Sequence, residues 1–173
     1  MKRHVVLIGL PGSGKTTVGG LVAERLRAVF VDIDAVLVRR EGKPVTMIFA
    51  EKGEAAFRDL ERQEMETTLA NGPAIIAPGG GWAAQPGALE GAKSRAFVVY
   101  LRTRPDTAAQ RAGPEGTRPL LMGGESSVER MRQLLKERDA AYALADQKID
   151  TDKKSAAQVA SEVVRLAQTM AGW

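Results

Sequence analysis

Cysteine is absent from the 173 residues, and histidine occurs once, as His4. The first absence excludes a disulfide framework, a thiolate metal site and a Cys nucleophile. The second all but closes off a Ser-His-Asp triad and a His-rich metal site. Aromatic residues make up only 5% of the chain, and its basic residues are scattered. A nucleic-acid surface combines a basic stripe with interleaved aromatics, so no nucleic-acid partner is expected. The net charge of +4 reads instead as a solvated surface or as an affinity for small anions. No apolar run approaches the ~20 residues needed to span a bilayer. Met1 to His4 followed by Val5 to Leu10 mimics the start of a signal peptide. Its apolar part is too short, and Pro11-Gly12-Ser13-Gly14 follows at once. The only asparagine, Asn71, precedes Gly72-Pro73, which leaves no N-glycosylation acceptor. A cytoplasmic monomer without a membrane partner is the expectation. Its chemistry falls to Lys, Arg, Asp, Glu and backbone groups.

At 44% apolar and 27% charged, a chain of this length suits one globular domain spanning residues 1–173. Short β-rich runs alternate with helical periods. Strands are expected at Val5–Ile8, Val29–Ile33, Ala74–Ala77, Ala96–Leu101 and Gln147–Thr151. Helices are expected from Lys15 to about Ala28, at Pro44–Glu51, Glu54–Ala70, Val128–Ala145 and Ser155–Met170. Another starts near Pro105, with Thr103 as its N-cap. This alternation predicts an α/β fold, a five-stranded parallel sheet flanked by helices. One segment stands apart. Ala112 to Ser127 holds four glycines and two prolines with little apolar periodicity. It reads as a mobile lid, about 112–126, carrying Arg118.

Gly9-Leu10-Pro11-Gly12-Ser13-Gly14-Lys15-Thr16 fits G-x-x-x-x-G-K-[ST]. The glycines let backbone N–H groups turn inward onto phosphate oxygens, and the following helix adds its positive end. Lys15 is placed to reach the β/γ-phosphates and the Thr16 hydroxyl to join a Mg2+ shell. A strand before the motif and a helix after it supply the required context. The chain lacks the Asn-Lys-x-Asp base reader of a GTPase. Its third strand ends in Pro78-Gly79-Gly80-Gly81, where a motor ATPase carries an acidic residue. A small-molecule kinase is the economical reading.

The acceptor side rests on charged residues in unusual places. Asp32 and Asp34 close the second strand, and strand alternation sets both carboxylates on one face, toward the crevice. One is suited to support Mg2+ and the other to orient or deprotonate an acceptor hydroxyl. A capping pair leading into Ala35–Arg40 is the competing explanation. Glu61 shares an apolar stripe with Phe57, Met65 and Thr68, and Arg58 lies one turn before it. Arg138 falls on the inward stripe of Val128, Met131, Leu135, Tyr142 and Ala145. Arg58 and Arg138 could together hold one carboxylate. Internal ion pairs with Glu61 or Glu137 explain them equally well. Gly79-Gly80-Gly81 offers bare backbone for close approach.

These residues resemble the shikimate kinase family of the nucleoside monophosphate kinase-like P-loop group. The resemblance runs through Gly9–Thr16, Asp32-x-Asp34, Ile48-Phe49-Ala50, and Gly53-Glu54-x-x-Phe57-Arg58-x-x-Glu61. It continues through Gly79-Gly80-Gly81, Arg118-Pro119-Leu120-Leu121, and Arg138 with Tyr142 and Ala145-Asp146. It implies a P-loop kinase fold and transfer of the ATP γ-phosphate to the 3-hydroxyl of shikimate. It implies Lys15, Asp34 and Arg118 as catalytic residues, with Asp34 activating the hydroxyl and Arg118 closing from the lid. ATP would be bound by Gly12, Ser13, Gly14, Lys15, Thr16, Thr17, Arg111 and Lys153, and Mg2+ by Thr16 and Asp32. Shikimate would be bound by Asp34, Arg58, Gly79, Gly80, Gly81 and Arg138. Val45, Phe49, Phe57, Pro119 and Leu120 would line the apolar part of the pocket. Pro78 and Trp82 depart from the family pattern beside the triple glycine. They leave open a kinase for another polyhydroxy acid, such as gluconate. A catalytically silent ATP-binding module is the third reading. Trp173, the last residue, is expected to be frayed and exposed.

Overall fold

The computed structural model describes residues 1–112 and 127–173. Among them, five strands form one sheet: β1 His4–Ile8, β2 Val29–Asp32, β3 Ala74–Ala77, β4 Ala96–Arg102 and β5 Gln147–Asp150. Their order is β2-β3-β1-β4-β5, and each pairing is parallel. Parallel strands covered on both faces read as unbroken apolar runs. Val5 to Ile8, Ile75-Ile76 and Phe97 to Leu101 are all buried. The expected sheet is present, with strand bounds shifted by a residue or so.

Side chains on successive residues point to opposite faces, which divides the core in two. Val6, Ile8, Ile76, Val98 and Tyr100 pack on one side with Ile33, Leu37, Ile48, Phe57, Met65, Met131 and Tyr142. Those partners come from α2 Ile33–Glu41, α3 Val45–Lys52, α4 Glu54–Ala70 and α7 Ser127–Tyr142. Val5, Leu7, Ile75, Phe97 and Val99 pack on the other side with α1 Lys15–Leu26 and α8 Ala156–Met170. Three further elements complete the described chain: a 3-10 turn at Trp82–Ala84, α5 Ala88–Ala92 and α6 Pro105–Ala112.

Four expectations need correction. Asp32 ends β2, but Ile33 and Asp34 already belong to α2, so strand alternation does not govern Asp34. The Asp32 carboxylate caps that helix, accepting from Ala35 N at 3.2 Å. Thr103 does not cap α6; its buried hydroxyl lies 2.6 Å from that of Thr151. The long α7 ends at Tyr142 rather than Ala145, and Ala145 N donates back to Tyr142 O. Trp173 is not frayed: its Nε1 donates to Arg3 O at 2.9 Å, and Lys2 Nζ sits 4.7 Å over its ring. Arg3 N donates to Ala171 O at 3.0 Å, which ties the two chain ends together. Of the segment expected as a lid, residues 113–126 lie outside the described residues, while Ala112 ends α6 and Ser127 opens α7.

Candidate active site

The carboxyl edge of the sheet gathers the ends of β1, β2 and β3. From β1 the chain turns through the Gly-rich loop, where Gly12 and Gly14 hold φ of 81° and 95°. Side chains rarely adopt these values, so glycine is required there. A Cβ on Gly12 would also collide with the Ala108 carbonyl of α6. Lys15 opens α1 and folds back over the loop, its Nζ donating to Gly9 O and Leu10 O, each at 2.8 Å. A neighbouring cavity of about 500 Å³ is lined by Gly12 to Thr17, Asp32, Asp34, Gly79, Gly80 and Arg111. Every described nucleotide-binding expectation except Lys153 lines it. The resemblance implies the Asp152-Lys153-Lys154 segment around adenine, and of that segment Lys154 lines the cavity, along with Thr151, Ser155 and Ala156 at the start of α8. Lys153 itself has φ of 61°, in the left-handed region. Ser155 was not among the expected site residues. The signal was there in Ser155-x-x-Gln158, a capping box in which Gln158 N donates to Ser155 Oγ at 3.1 Å.

Thr16 Oγ1 donates to Asp32 Oδ2 at 2.8 Å. Strand β2 thus presents its terminal carboxylate to the first turn of α1. A hydroxyl and a carboxylate side by side are hard oxygen donors of the kind that suits Mg2+. Asp32 uses one oxygen to cap α2 and the other to meet Thr16. No cluster of three or more His, Cys, Asp or Glu suited to a metal occurs among the described residues.

Beyond β3 the glycine run is pressed among four charged side chains. A Cβ on Gly79 would overlap Glu61 Oε2 and come within 3.0 Å of Asp34 Oδ1. One on Gly80 would lie 3.1 Å from Arg138 Nη1, and one on Gly81 would overlap the Arg58 guanidinium. Three consecutive glycines are therefore a steric consequence of the charges packed against them. Arg58 Nη1 meets Glu61 Oε1 at 3.0 Å, and its fork lies 5.6 Å and 5.9 Å over the rings of Phe57 and Phe49. Arg138 is buried, but Glu137 is occupied by Gln133 Nε2 at 2.9 Å. Of the two ion pairs weighed above, only that of Arg58 with Glu61 forms. Arg58 Nε and Arg138 Nη1 are buried without a hydrogen bond among the described residues. Both arginines, with Gly81, line a second cavity of about 250 Å³. Tyr142 Oη donates to Gly80 O at 3.2 Å and steadies the run from α7.

Burial pushes the Glu61 carboxyl up to about 7. Arg58 pulls it back, and the Asp34 carboxylate adds to the rise. Trp82 is 4% exposed and packs in the acceptor-side core, outside both cavities. Val45 and Phe49 pack against that core from its margin and line neither cavity. Arg118, Pro119 and Leu120 fall outside the described residues.

The shikimate kinase family model matches residues 11–168. The chain belongs to the shikimate kinase family. A shikimate kinase of Moorella thermoacetica is 43% identical over 163 residues, 94% of this chain and 93% of the relative. A solved shikimate kinase from Acinetobacter baumannii, in complex with shikimate, superposes with a TM-score of 0.92 at 34% identity. It covers 98% of this chain and 94% of that one. A gluconokinase from Sinorhizobium meliloti reaches a TM-score of 0.63 at 17% identity, which is a likeness of fold alone. The expected family and P-loop kinase fold therefore hold. The chain is an alcohol-acceptor phosphotransferase by family.

Proposed function

We propose that this chain transfers the γ-phosphoryl group of ATP to the 3-hydroxyl of shikimate. The observation that carries the reading is the set of charges around Gly79–Gly81, immediately beside the phosphate loop. Two guanidinium groups there, that of Arg138 buried and that of Arg58 largely so, each keep one buried nitrogen without a hydrogen bond among the described residues. A buried cation without a full set of partners is costly, and a substrate carboxylate supplies the missing acceptors. A neutral polyol would leave both forks unsatisfied. Asp34, on the first turn of α2, lies at the boundary of the nucleotide cavity and the glycine run. In this reading it orients the acceptor hydroxyl and takes its proton as the phosphoryl group moves.

On the nucleotide side, Lys15 leaves its loop carbonyls for the β/γ-phosphates, while Gly12–Thr17 cradle them through backbone N–H groups. Arg111, the Asp152-Lys153-Lys154 segment through Lys154, and the start of α8 would surround the adenosine portion. Thr16 and Asp32 would hold Mg2+, which when bound neutralises phosphate charge. Arg118, carried by the lid at about 112–126, would add its charge to the transferring phosphoryl group. A cytoplasmic location is in keeping with the cysteine-free composition, and the expected monomeric state is tested by sedimentation. The gluconate alternative drew on Pro78 and Trp82; the indole packs in the core away from both cavities, while Pro78 lines the nucleotide cavity. The deciding experiment is coupled ADP release with shikimate, gluconate or no acceptor. Acceleration by shikimate alone is expected. Acceleration by gluconate alone, or by neither, would overturn the assignment.

A further inference from the structure

Glu61 is completely buried on α4, and charged groups from three elements face it. Arg58 faces it from its own helix, Asp34 from α2, and Arg138 from α7. Glu54, one turn before Arg58, reaches the far side of that guanidinium at 3.8 Å. Tyr142, also on α7, donates to Gly80 O and lies against Arg138. Glu61 Oε1 holds Arg58 at 3.0 Å. Its Oε2 is buried without a hydrogen bond among the described residues, pressed against the bare Cα of Gly79 on the side toward Asp34.

We propose that binding of the acceptor's carboxylate is coupled to uptake of a proton by Glu61, because the two carboxylates compete for the same pair of guanidinium groups. The inference rests on the shikimate reading of this site. In the free protein Arg58 and Arg138 are the attractions that favour an ionised Glu61, against burial and Asp34. A substrate carboxylate seated on Arg58 Nε and Arg138 Nη1 draws on the same positive charge and adds a like charge nearby. Both effects disfavour the ionised form. A carboxyl already balanced near neutrality then takes its proton from the buffer. Neutral Glu61 keeps its shape and still offers an oxygen to Arg58, so the fork stays aimed while the charge it must share goes to the substrate. Glu61 thus positions Arg58 in a form whose charge answers to the ligand.

Calorimetric titration of shikimate into the wild-type protein at pH 7.5, in Pipes and in Tris, reads proton exchange directly. The expected difference in heat corresponds to uptake of on the order of half a proton per shikimate. Affinity should weaken between pH 7 and 8.5, by up to tenfold per pH unit at the steepest point. Below pH 6 the exchange should vanish, since Glu61 is then protonated before binding. Glu61→Gln should bind shikimate with equal heats in the two buffers and with affinity independent of pH across this range. Equal heats in the wild type overturn the proposal while leaving the shikimate reading in place. Absence of binding overturns that reading itself. Proton uptake that survives in Glu61→Gln assigns it to another group and overturns the role of Glu61. Should Glu61→Gln fail to fold, carboxyl-carbon NMR of 13C-glutamate-labelled wild type decides. One glutamate titrating near neutrality must move upward when shikimate is added, and a stationary midpoint refutes the coupling.

Discussion

Replacing Gly81 by alanine adds one methyl group and tests the clamp without touching a charge. Gly81 has φ −93° and ψ −7°, helical values that alanine adopts freely. The backbone is therefore not strained, and loss of unfolded-chain freedom alone would stabilise by about 0.4–1 kcal/mol. The new Cβ overlaps the end of the Arg58 side chain, whose fork must swing away. That movement weakens the 3.0 Å pair with Glu61. A Glu61 carboxyl that titrates near 7 can answer by protonation, which limits the penalty. The opposing contributions should leave Tm within about 5 °C of the parent. Recognition has no such relief. A hydrogen bond between charged groups contributes about 1.5–3 kcal/mol, and tenfold in affinity is 1.4 kcal/mol. KM for shikimate should rise about 10- to 100-fold, with KM for ATP within about twofold. Coupled ADP-release kinetics and a thermal melt measure all three quantities. A folded Gly81→Ala protein with an unchanged KM for shikimate would remove Arg58 from carboxylate recognition.

Asp34→Asn should lower kcat by about 10²–10⁴-fold, the usual contribution of a general base, while equilibrium binding of ATP analogues stays near the parent value. Near-normal turnover would leave Asp34 as a positioning group only. Trp82→Ala should destabilise by about 3–5 kcal/mol by chemical denaturation, as for a large buried side chain, with little change in acceptor preference. A stable variant with altered acceptor preference would restore Trp82 to the pocket. His4 should make stability depend on pH. Burial lowers its pKa, and as a neutral ring it accepts from Ala74 N at 3.1 Å while Nε2 meets Leu69 O at 3.2 Å. The unfolded state then binds the proton more readily, so stability is greatest above the unfolded pKa of 6.5 and declines as pH falls below it. The fall in Tm between pH 7 and 5 should be smaller in His4→Gln, and an equal fall would acquit the imidazole.

The sheet and the phosphate loop were legible because each follows from a local pattern. Apolar β-rich runs between glycines can do little but form buried parallel strands, and G-x-x-x-x-G-K-[ST] dictates its own backbone. Arg138 stood out for a similar reason, since a charge on an apolar helical stripe announces a tertiary demand. Asp34 was placed at the crevice by an argument that does not apply to it. Strand alternation and the first turn of a capped helix both turn it the same way, so location survived the wrong element. The sequence left the partner of Arg58 open between a ligand and Glu61, because i, i+3 spacing shows proximity and not burial. The structure gives Arg58 that partner and leaves its Nε over. Trp173 and Thr103 were misread for one cause. Their partners, Arg3 and Thr151, lie 170 and 48 residues away, and no local pattern announces such contacts.

The parity of residues along β1, β3 and β4 carries a further consequence. Odd positions in β1 feed the core shared with α1 and α8, the two helices whose starts border the nucleotide cavity. Even positions feed the core beneath α2, α4 and α7, which carry Asp34, Arg58 and Arg138. Two grammars are thus interleaved in one strand, each read by a different set of helices. They are not wholly separate, since Leu10 of the phosphate loop and Ala108 of α6 sit in the even-position core. A substitution at an odd position of β1 should therefore be felt first through α1 and α8, and one at an even position through the acceptor-bearing helices and the underside of the phosphate loop together.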